Sequence, residues 1–422
     1  MSIIFESANL KIESFLPSGS TPSRVVLVYT SLLNRSLVGN PAGGAVLVSA
    51  GYAVISLKSS ADGWFQDIPP EAIRAVQEHL RKVQYQRILA YGSSMGAFAA
   101  IAFSGAFDCD HVLALSPQFR IDTEFDTRWQ SNSRQVRWHH RIDSETIGKK
   151  CAFTVVYDPM DLDRWHARQL GTVIPATRFR SLELRYAGHP ATLFLHEVGK
   201  LRTLLLAAIE GAPLKKFDWR SGKGRSRSYL KTLCAAAEAR GAWPTALGLL
   251  NRLLHLTPND LGLQLRRVSV LEAAGRMGDA TQLLEELDRK GSGTADLHAK
   301  LAQWSVDQGD TQRAHYWVKR GLMANYMTAS LHHLASRLAD RRGSARSSLE
   351  AAKRAFRLSP DHAHVSGQLA AQLLRTGRVR CASFVIEQGT RLNPDFPPLT
   401  SLRELARVYE SRRHEIWSDV QE

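Results

Sequence analysis

A serine between two glycines, in the segment Gly-Ser-Ser-Met-Gly at 92–96, is the part of the chain with the clearest capacity for chemistry. This spacing is typical of a serine held on a sharp turn between a strand and a helix, with its hydroxyl available as a nucleophile. The glycines are needed because backbone packs closely around such a strained turn. An apolar run at 87–91 and a small-residue run at 97–103 have the composition of the required strand and helix. The segment therefore predicts Ser94 as a nucleophile.

A serine nucleophile needs a histidine that accepts its proton and a carboxylate that orients the histidine. His189 follows the last strand-like segment of the first half and is the expected base. Asp158 and Asp161 follow the strand-like segment before it, which gives the chain order serine, aspartate, histidine. The spacing slightly favours Asp161, because the partner of a histidine must project from a loop, and Asp158 stays open. Asp163 is expected to cap the next helix.

Charge that develops on a substrate carbonyl needs N–H donors, and the backbone N–H of Met95 is the first expected donor. The second is expected from the loop after the strand-like run at 24–29, from Ser31 or Leu32, with a hydroxyl of that loop as an alternative. Trp64 follows another strand end. It either lines the acyl or alcohol pocket or packs in the core.

Alternating strand-like and helix-like segments in the first half supply the elements that would position these residues. This alternation is typical of a parallel sheet covered by helices on both faces. The candidate strands are 24–29, 52–57, 87–91, 111–115, 153–157 and 182–186, and the candidate helices are 70–83, 95–103, 163–169 and 191–209. A polar stretch at 119–150 follows a strand end, where loops that face a ligand or cover it are found.

The second half carries an internal repeat with a period of 34 residues. Glycine recurs at positions 241, 275, 309, 343 and 377, and a small residue follows each glycine five positions later. Proline stands at 258, 360 and 394, a third repeated position that Ser292 and Tyr326 occupy in the middle units. The period predicts helix–turn–helix units, with glycine in the turn, the small residue at the helix contact and proline at the end of the second helix. We expect an α/β domain at 1–211, a basic linker at 212–226, five repeats at 227–396 and a capping helix at 397–422.

Composition indicates a globular protein of two or three domains. The net charge of +15 is uneven, since residues 1–211 hold 22 Lys and Arg against 19 Asp and Glu, whereas the rest holds 33 against 21. The basic linker lacks a nucleic-acid motif, so a solvated surface is the simpler interpretation and nucleic acid is not an expected partner. The four cysteines are far apart, and no apolar run has the length of a membrane helix. We expect a cytoplasmic protein without a metal or a cofactor.

The ordered Ser94, Asp158/Asp161 and His189 segments make residues 20–210 similar to the α/β-hydrolase superfamily, and the 34-residue register makes 227–396 resemble a tetratricopeptide-repeat (TPR) array. The first resemblance implies an α/β-hydrolase fold and acyl-enzyme chemistry on an ester, thioester or amide. It does not supply a substrate, because this fold hosts many reactions.

Two classes of function follow from the sequence. The first is a serine hydrolase acting on a small-molecule or acylated ester or thioester, with the repeats recruiting a protein partner or the substrate. A variant of it is acyl transfer to a sugar hydroxyl, which the sequence does not distinguish from hydrolysis. The second is an interaction scaffold whose hydrolase domain is catalytically silent.

Overall fold

The computed structural model describes residues 2–19, 22–32 and 34–418 of the chain. The protein divides into two compact units, one reaching to Asp260 and the other beginning at Leu261. The first unit contains a β-sheet with its helices, and the second consists of helices and their turns. None of the described helices is both long enough and apolar enough to span a membrane.

Eight strands of the first unit form one mixed sheet. They are β1 (Ser2–Glu6), β2 (Leu10–Phe15), β3 (Arg24–Tyr29), β4 (Ala53–Ser59), β5 (Arg87–Ser93), β6 (His111–Leu115), β7 (Ala152–Tyr157) and β8 (Phe179–Glu183). Their spatial order is β1-β2-β4-β3-β5-β6-β7-β8, and β2 runs antiparallel to both of its neighbours while all other pairs are parallel. The predicted α/β architecture with a mostly parallel sheet is therefore confirmed.

Helices cover both faces of this sheet. The α-helices of the first unit are α1 (Gly44–Ser49), α2 (Pro70–Val83), α3 (Met95–Ala102), α4 (Gln130–Ser133), α5 (Asp163–Val173), α6 (Ala191–Glu197), α7 (Leu201–Ala208), α8 (Arg227–Glu238) and α9 (Trp243–Leu256), and α8 and α9 form the first helix pair of the repeats. Along β3, Val25 and Leu27 point into the core beneath α2 and α3, while Val26 and Val28 point into the core beneath α1, α6 and α7. Burial on both faces explains why this strand is continuously apolar.

The sequence missed or misplaced several elements at the rim of the sheet. The strand predicted at 182–186 lies at 179–183, because the edge strand β8 is mostly exposed and so lacks an apolar run. The single helix predicted at 191–209 is two helices, α6 and α7, separated by Gly199 with φ of 69°. The strands β1 and β2 were not predicted at all.

The second unit contains the remaining repeats as pairs of helices. These are α10 (Leu261–Ala273), α11 (Met277–Leu287), α12 (Ala295–Asp307), α13 (Thr311–Ala324), α14 (Ala329–Arg341), α15 (Ala345–Leu358), α16 (Ala363–Arg375) and α17 (Val379–Leu392), followed by α18 (Pro397–Ser418). Residues 419–422 of the predicted capping helix lie outside the described residues.

The repeat glycines and small residues have the positions that the register predicts. All five glycines lie between the two helices of a pair with φ between 67° and 78°, a left-handed conformation that favours glycine. The small residues Ala246, Ala280, Ala314, Ser348 and Ala382 are fully buried. The prolines at 258, 360 and 394 follow the ends of α9, α15 and α17. The helical repeat array is therefore confirmed, and its first pair, α8 and α9, belongs to the compact unit of the sheet.

Candidate active site

Ser94 lies on the turn that joins β5 to α3, in a backbone conformation that side chains rarely adopt. Its φ and ψ are 54° and −120°. A Cβ atom at Gly92 would lie 2.1 Å from the carbonyl oxygen of Gly96, and one at Gly96 would lie 2.6 Å from the carbonyl oxygen of Tyr29. The two glycines therefore let the turn close on itself and let the end of β3 pack against it.

A hydrogen-bonded chain of three side chains begins at this serine. Ser94 Oγ lies 2.9 Å from His189 Nε2, and His189 Nδ1 lies 2.9 Å from one carboxylate oxygen of Asp163 and 3.0 Å from the other. Asp163 is the first residue of α5, and His189 lies in the loop between β8 and α6. With Nδ1–H donated to the carboxylate, Nε2 is the ring atom that accepts the serine proton.

The carboxylate on the histidine is therefore neither of the two expected ones. Asp161 accepts from Arg128 Nη1 at 2.7 Å, and Asp158 accepts the backbone N–H groups of Tyr186 and Gly188, both at 2.9 Å. The expectation of Asp161 or Asp158 at the histidine was wrong because the loop after β7 turns back. This turn aims the first side chain of α5 at the imidazole and leaves Asp158 to hold the histidine loop through its backbone.

The guanidinium of Arg128 and the hydrogen bonds to Asp163 keep this carboxylate ionised. Burial alone would raise the pKa of Asp163, but His189, the guanidinium of Arg128 and the hydroxyl of Ser116 outweigh burial and hold the pKa below its usual range. Arg128 Nη2 lies 3.0 Å from Asp163, and the same guanidinium pairs with Asp126. Asp163 is thus an anion at neutral pH, as a partner of an imidazolium must be.

The expected oxyanion donors lie on the elements that border the serine. Met95 is the first residue of α3, so its N–H has no acceptor within the helix. Ser31 and Leu32 directly follow β3, whose last carbonyl contacts Gly96. The hydroxyl of Thr30 instead accepts the N–H of Ser59 at the end of β4, which is a structural role.

Gln118 is a polar side chain at the serine that the sequence did not single out. It is fully buried, and its Nε2 lies 2.9 Å from Ser94 Oγ and 3.3 Å from His189 Nε2. Its Oε1 accepts from the indole N–H of Trp64 at 3.3 Å. The segment 116–118 follows β6, and its position after the strand next to that of the serine was the available signal.

Trp64 does not form an exposed pocket wall. Its side chain is fully buried and packs edge-to-face on Trp129 with ring centroids 5.8 Å apart. Trp129 in turn contacts the ring of His189 at 5.4 Å. Of the two alternatives left open for Trp64, the structure matches the residue packed in the core, because the polar stretch at 119–150 folds over the tryptophan and the histidine.

A cavity of about 290 Å³ lies between α3 and the segment at 119–143. Phe98, one turn after Ser94, and Phe119, next to Gln118, form its wall with Trp138. The charged members of the lining are Arg120 and Asp122, which pair with each other, and Arg141 and Asp143. The cavity therefore combines an aromatic wall with polar groups, as small-molecule sites commonly do.

A second cavity, of about 620 Å³, lies among the repeats of the second unit. The first helices of three successive pairs, α12, α14 and α16, provide most of its lining. Trp304, Leu334 and Val365 are the large apolar members, and Lys300 and Arg337 are cationic. Among the described residues, no group of three or more His, Cys, Asp or Glu side chains is placed to hold a metal ion.

Comparison with known proteins gives only partial likenesses. No protein-family model and no curated protein matches the sequence. Among solved structures, pilF of Pseudomonas aeruginosa matches 48% of this chain and 92% of its own at 14% identity, with a TM-score of 0.39. YrrB, a TPR protein with an unusual peptide-binding site, matches 43% of this chain and 94% of its own at 14% identity and a TM-score of 0.33. A thermophilic TPR protein of Thermus thermophilus matches 43% of this chain and 99% of its own at 19% identity and a TM-score of 0.34.

Proposed function

We propose that the sheet domain is an α/β-hydrolase-type serine hydrolase that cleaves an ester or thioester through an acyl-enzyme. The observation that carries the proposal is the continuous chain Ser94 Oγ–His189 Nε2 and His189 Nδ1–Asp163, with every link at 2.9 Å. The serine follows β5, the acid follows β7 and the histidine follows β8, so the chain order is that of α/β-hydrolases.

The geometry supports the following reaction. Ser94 Oγ attacks the carbonyl carbon while its proton passes to His189 Nε2. The tetrahedral adduct collapses, the bond to the leaving oxygen or sulfur breaks, and the leaving group takes the proton from His189. Water then attacks the acyl-enzyme, gives one proton to His189 and releases the acid, and Ser94 Oγ regains its proton. Asp163 holds the imidazole in the required tautomer and stabilises its charged form.

The N–H groups of Met95 and of Ser31 or Leu32 would stabilise the oxyanion in each half of this reaction. The aromatic cavity between α3 and the segment at 119–143 suits an apolar group of modest size. Its volume of about 290 Å³ and its Phe98, Phe119 and Trp138 wall favour a short acyl or an aromatic group over a long lipid chain.

Covalent labelling with a fluorophosphonate probe tests the proposal. The full-length protein should be labelled stoichiometrically, and Ser94→Ala should not be labelled. Ser93→Ala is a matched control, because Ser93 is the adjacent hydroxyl and lies outside the three-residue chain. A folded wild-type protein that stays unlabelled would contradict the enzyme and favour the silent scaffold. A labelled protein that consumes an ester only when an alcohol is added would favour acyl transfer.

We propose further that the repeats recruit a protein segment into the cavity of the second unit. The observation that favours this role is the combination of Trp304 with two cationic side chains on consecutive helix pairs. Lys300 pairs with Glu272, whereas Arg337 donates to the neutral side-chain oxygen of Gln303 at 3.0 Å. The charge of Arg337 therefore favours an acidic segment.

Binding to arrays of peptides of graded charge tests the recruitment. Arg337→Glu should weaken the binding of acidic peptides by about tenfold or more, since like charges replace opposite charges at a partly enclosed site. Arg342→Glu, an exposed substitution in the turn after α14, is the charge-matched control. Equal losses in both variants would show a non-specific charge effect.

A further inference from the structure

Gln118 presents a hydrogen-bond donor to the two atoms between which the reacting proton moves. Its Nε2 forms a triangle with Ser94 Oγ and His189 Nε2, with sides of 2.9, 3.3 and 2.9 Å. The side chain is fully buried and extends from the segment after β6.

The identity of the amide end that faces the serine follows from Trp64. An indole nitrogen is a donor only, so the atom of Gln118 that it contacts must be the carbonyl oxygen Oε1. The NH₂ group therefore faces Ser94. Trp64 is itself fully buried and packed against Trp129, which fixes the direction of its hydrogen bond to Gln118.

The donor becomes important when His189 takes the proton. In the resting site, His189 Nε2 accepts the Ser94 hydroxyl hydrogen and Gln118 donates to a lone pair of the same oxygen. Once His189 is protonated, its Nε2–H and the Gln118 N–H are two donors 3.3 Å apart. Ser94 Oγ is then bonded to the acyl carbon and is a weaker acceptor, so the two donors need a second oxygen that accepts from both, since an unpaired donor in this nearly buried site is costly.

The oxygen that meets this need is the one that exchanges a proton with His189. We propose that the Gln118 carboxamide is a catalytic donor at the carbonyl carbon next to His189. It binds the oxygen that leaves this carbon in acylation and the oxygen that attacks it in deacylation. In deacylation it donates to the incoming water or hydroxyl while that oxygen passes its proton to His189 and forms the bond to the acyl carbon. This role rests on the proposed function and adds a residue to it.

The ratio of acylated to free Ser94 under saturating 4-nitrophenyl acetate tests the role. 4-Nitrophenolate leaves as a stable anion, so acylation needs little help at the leaving oxygen, whereas deacylation uses a water that must be positioned. The full-length protein is quenched in acid during turnover, and the acetylated fraction is measured by intact mass spectrometry. Gln118→Met is an unbranched substitution without a donor. It should raise the ratio of acylated to free Ser94 by about tenfold, because the loss of one hydrogen bond in the transition state slows deacylation by about that factor and leaves acylation unchanged.

Two further variants separate donation from packing. Gln118→Glu keeps an acceptor for Trp64 and removes the NH₂ group, so it should raise the ratio as Gln118→Met does. Trp64→Phe keeps the NH₂ group and removes its anchor, so a smaller rise is expected.

Three results would contradict the role of Gln118. An unchanged or lowered ratio in Gln118→Met would overturn the role, because a side chain that merely shapes the serine would slow acylation as much as deacylation. A wild-type ratio in Gln118→Glu would overturn it in favour of the Trp64 contact. A wild-type protein that is neither acetylated at Ser94 nor labelled by the fluorophosphonate would refute the hydrolase, and the role of Gln118 would fall with it.

Discussion

At the scale of single residues, the guanidinium of Arg128 organises the acid side of the site. It contacts Asp126, Asp161 and Asp163, with closest distances of 2.6, 2.7 and 3.0 Å. Asp126 also accepts from His166, which is fully buried. The arrangement fixes the start of α5 and therefore the carboxylate that meets His189.

Asp163→Asn should abolish most of the labelling rate while the fold is kept. An amide at this position donates to the imidazole or leaves it in the wrong tautomer, and the comparable substitution in serine proteases costs a factor of roughly 10⁴. Asp161→Asn is the matched control, since it weakens a partly exposed pair with Arg128 and keeps an oxygen for the N–H of Asp163, and its rate should fall by less than about tenfold. Fluorophosphonate labelling rates of the two variants give the comparison, and equal losses would return Asp161 to the role of the acid.

The sequence supplied the nucleophile, the base and their order, because the glycine spacing and the position after a strand are local signals. It did not supply the acid. Asp158, Asp161 and Asp163 are within six residues of one another, and the choice among them depends on the direction of one loop and on Arg128, which is 35 residues from Asp163 in the sequence. Gln118 was not predicted for the same reason, since its contacts with Trp64, Ser94 and His189 are all tertiary.

At the scale of elements, the turn between β5 and α3 has no room for side chains at its glycines. Gly92→Ala would place a Cβ 2.1 Å from a backbone oxygen, and Gly96→Ala would place one 2.6 Å from the end of β3. Both atoms belong to rigid backbone, so each variant should lose at least ~2 kcal/mol of folding free energy and its labelling. Gly171→Ala is the control, because it lies in α5 with open space around it and should be neutral or stabilising by up to ~1 kcal/mol. Denaturant unfolding measures all three.

His111 at the start of β6 gives the sheet a dependence on pH. Its Nδ1 contacts the carbonyl of Ile209 and its Nε2 contacts the hydroxyl of Thr154, a pattern that fits the neutral ring. Burial lowers the pKa of His111 to about 4 from 6.5. Because the folded state resists protonation, the unfolded state binds more protons between these two values, and stability is lost as the pH falls through this window.

The expected loss between pH 6.5 and 4 is about 3 kcal/mol from this residue. His111→Gln should be less stable at neutral pH, because its contacts are altered, but its stability should change less between pH 7 and pH 5. Urea unfolding at the two pH values measures the difference. Parallel slopes for the wild type and the variant would assign the acid sensitivity to other groups.

The bounds of the strands and helices show which of them a sequence pattern is sufficient to predict. The central strands β3 and β6 lie where they were predicted, because burial on both faces makes them continuously apolar. The edge strands β1 and β8 are largely exposed, so the pattern that defines a central strand is absent from them. The repeat helices were predictable from one residue type, since the left-handed turn between paired helices favours glycine at every unit.

At the scale of the whole molecule, the first helix pair of the array belongs to the unit that carries the serine. The N-cap Ser226 of α8 donates to Glu197 at the end of α6 at 2.6 Å, and Tyr229 packs on Tyr186 and Phe194 with ring centroids 6.2 and 6.1 Å away. A Cβ at Gly188, the residue before His189, would lie 2.8 Å from the hydroxyl of Thr232 in α8. The predicted linker at 212–226 therefore does not end the unit that carries the site.

Truncation of the chain distinguishes a domain that ends at the predicted linker, at Ser226, from one that ends at Asp260. A chain that ends at Asp260 keeps α8 against the histidine loop and α9 against α8, so it should fold and react with the fluorophosphonate at a rate within about twofold of the full chain. A chain that ends at Ser226 exposes Phe194 and removes the contacts of α8 with the loop of His189. It should unfold at lower temperature, since burial of one large aromatic side chain is worth ~2 kcal/mol, and its labelling should slow. Equal melting temperatures and labelling rates for the two chains would show that the sheet domain needs no part of the array, and that the serine and the repeats are joined only by the linker.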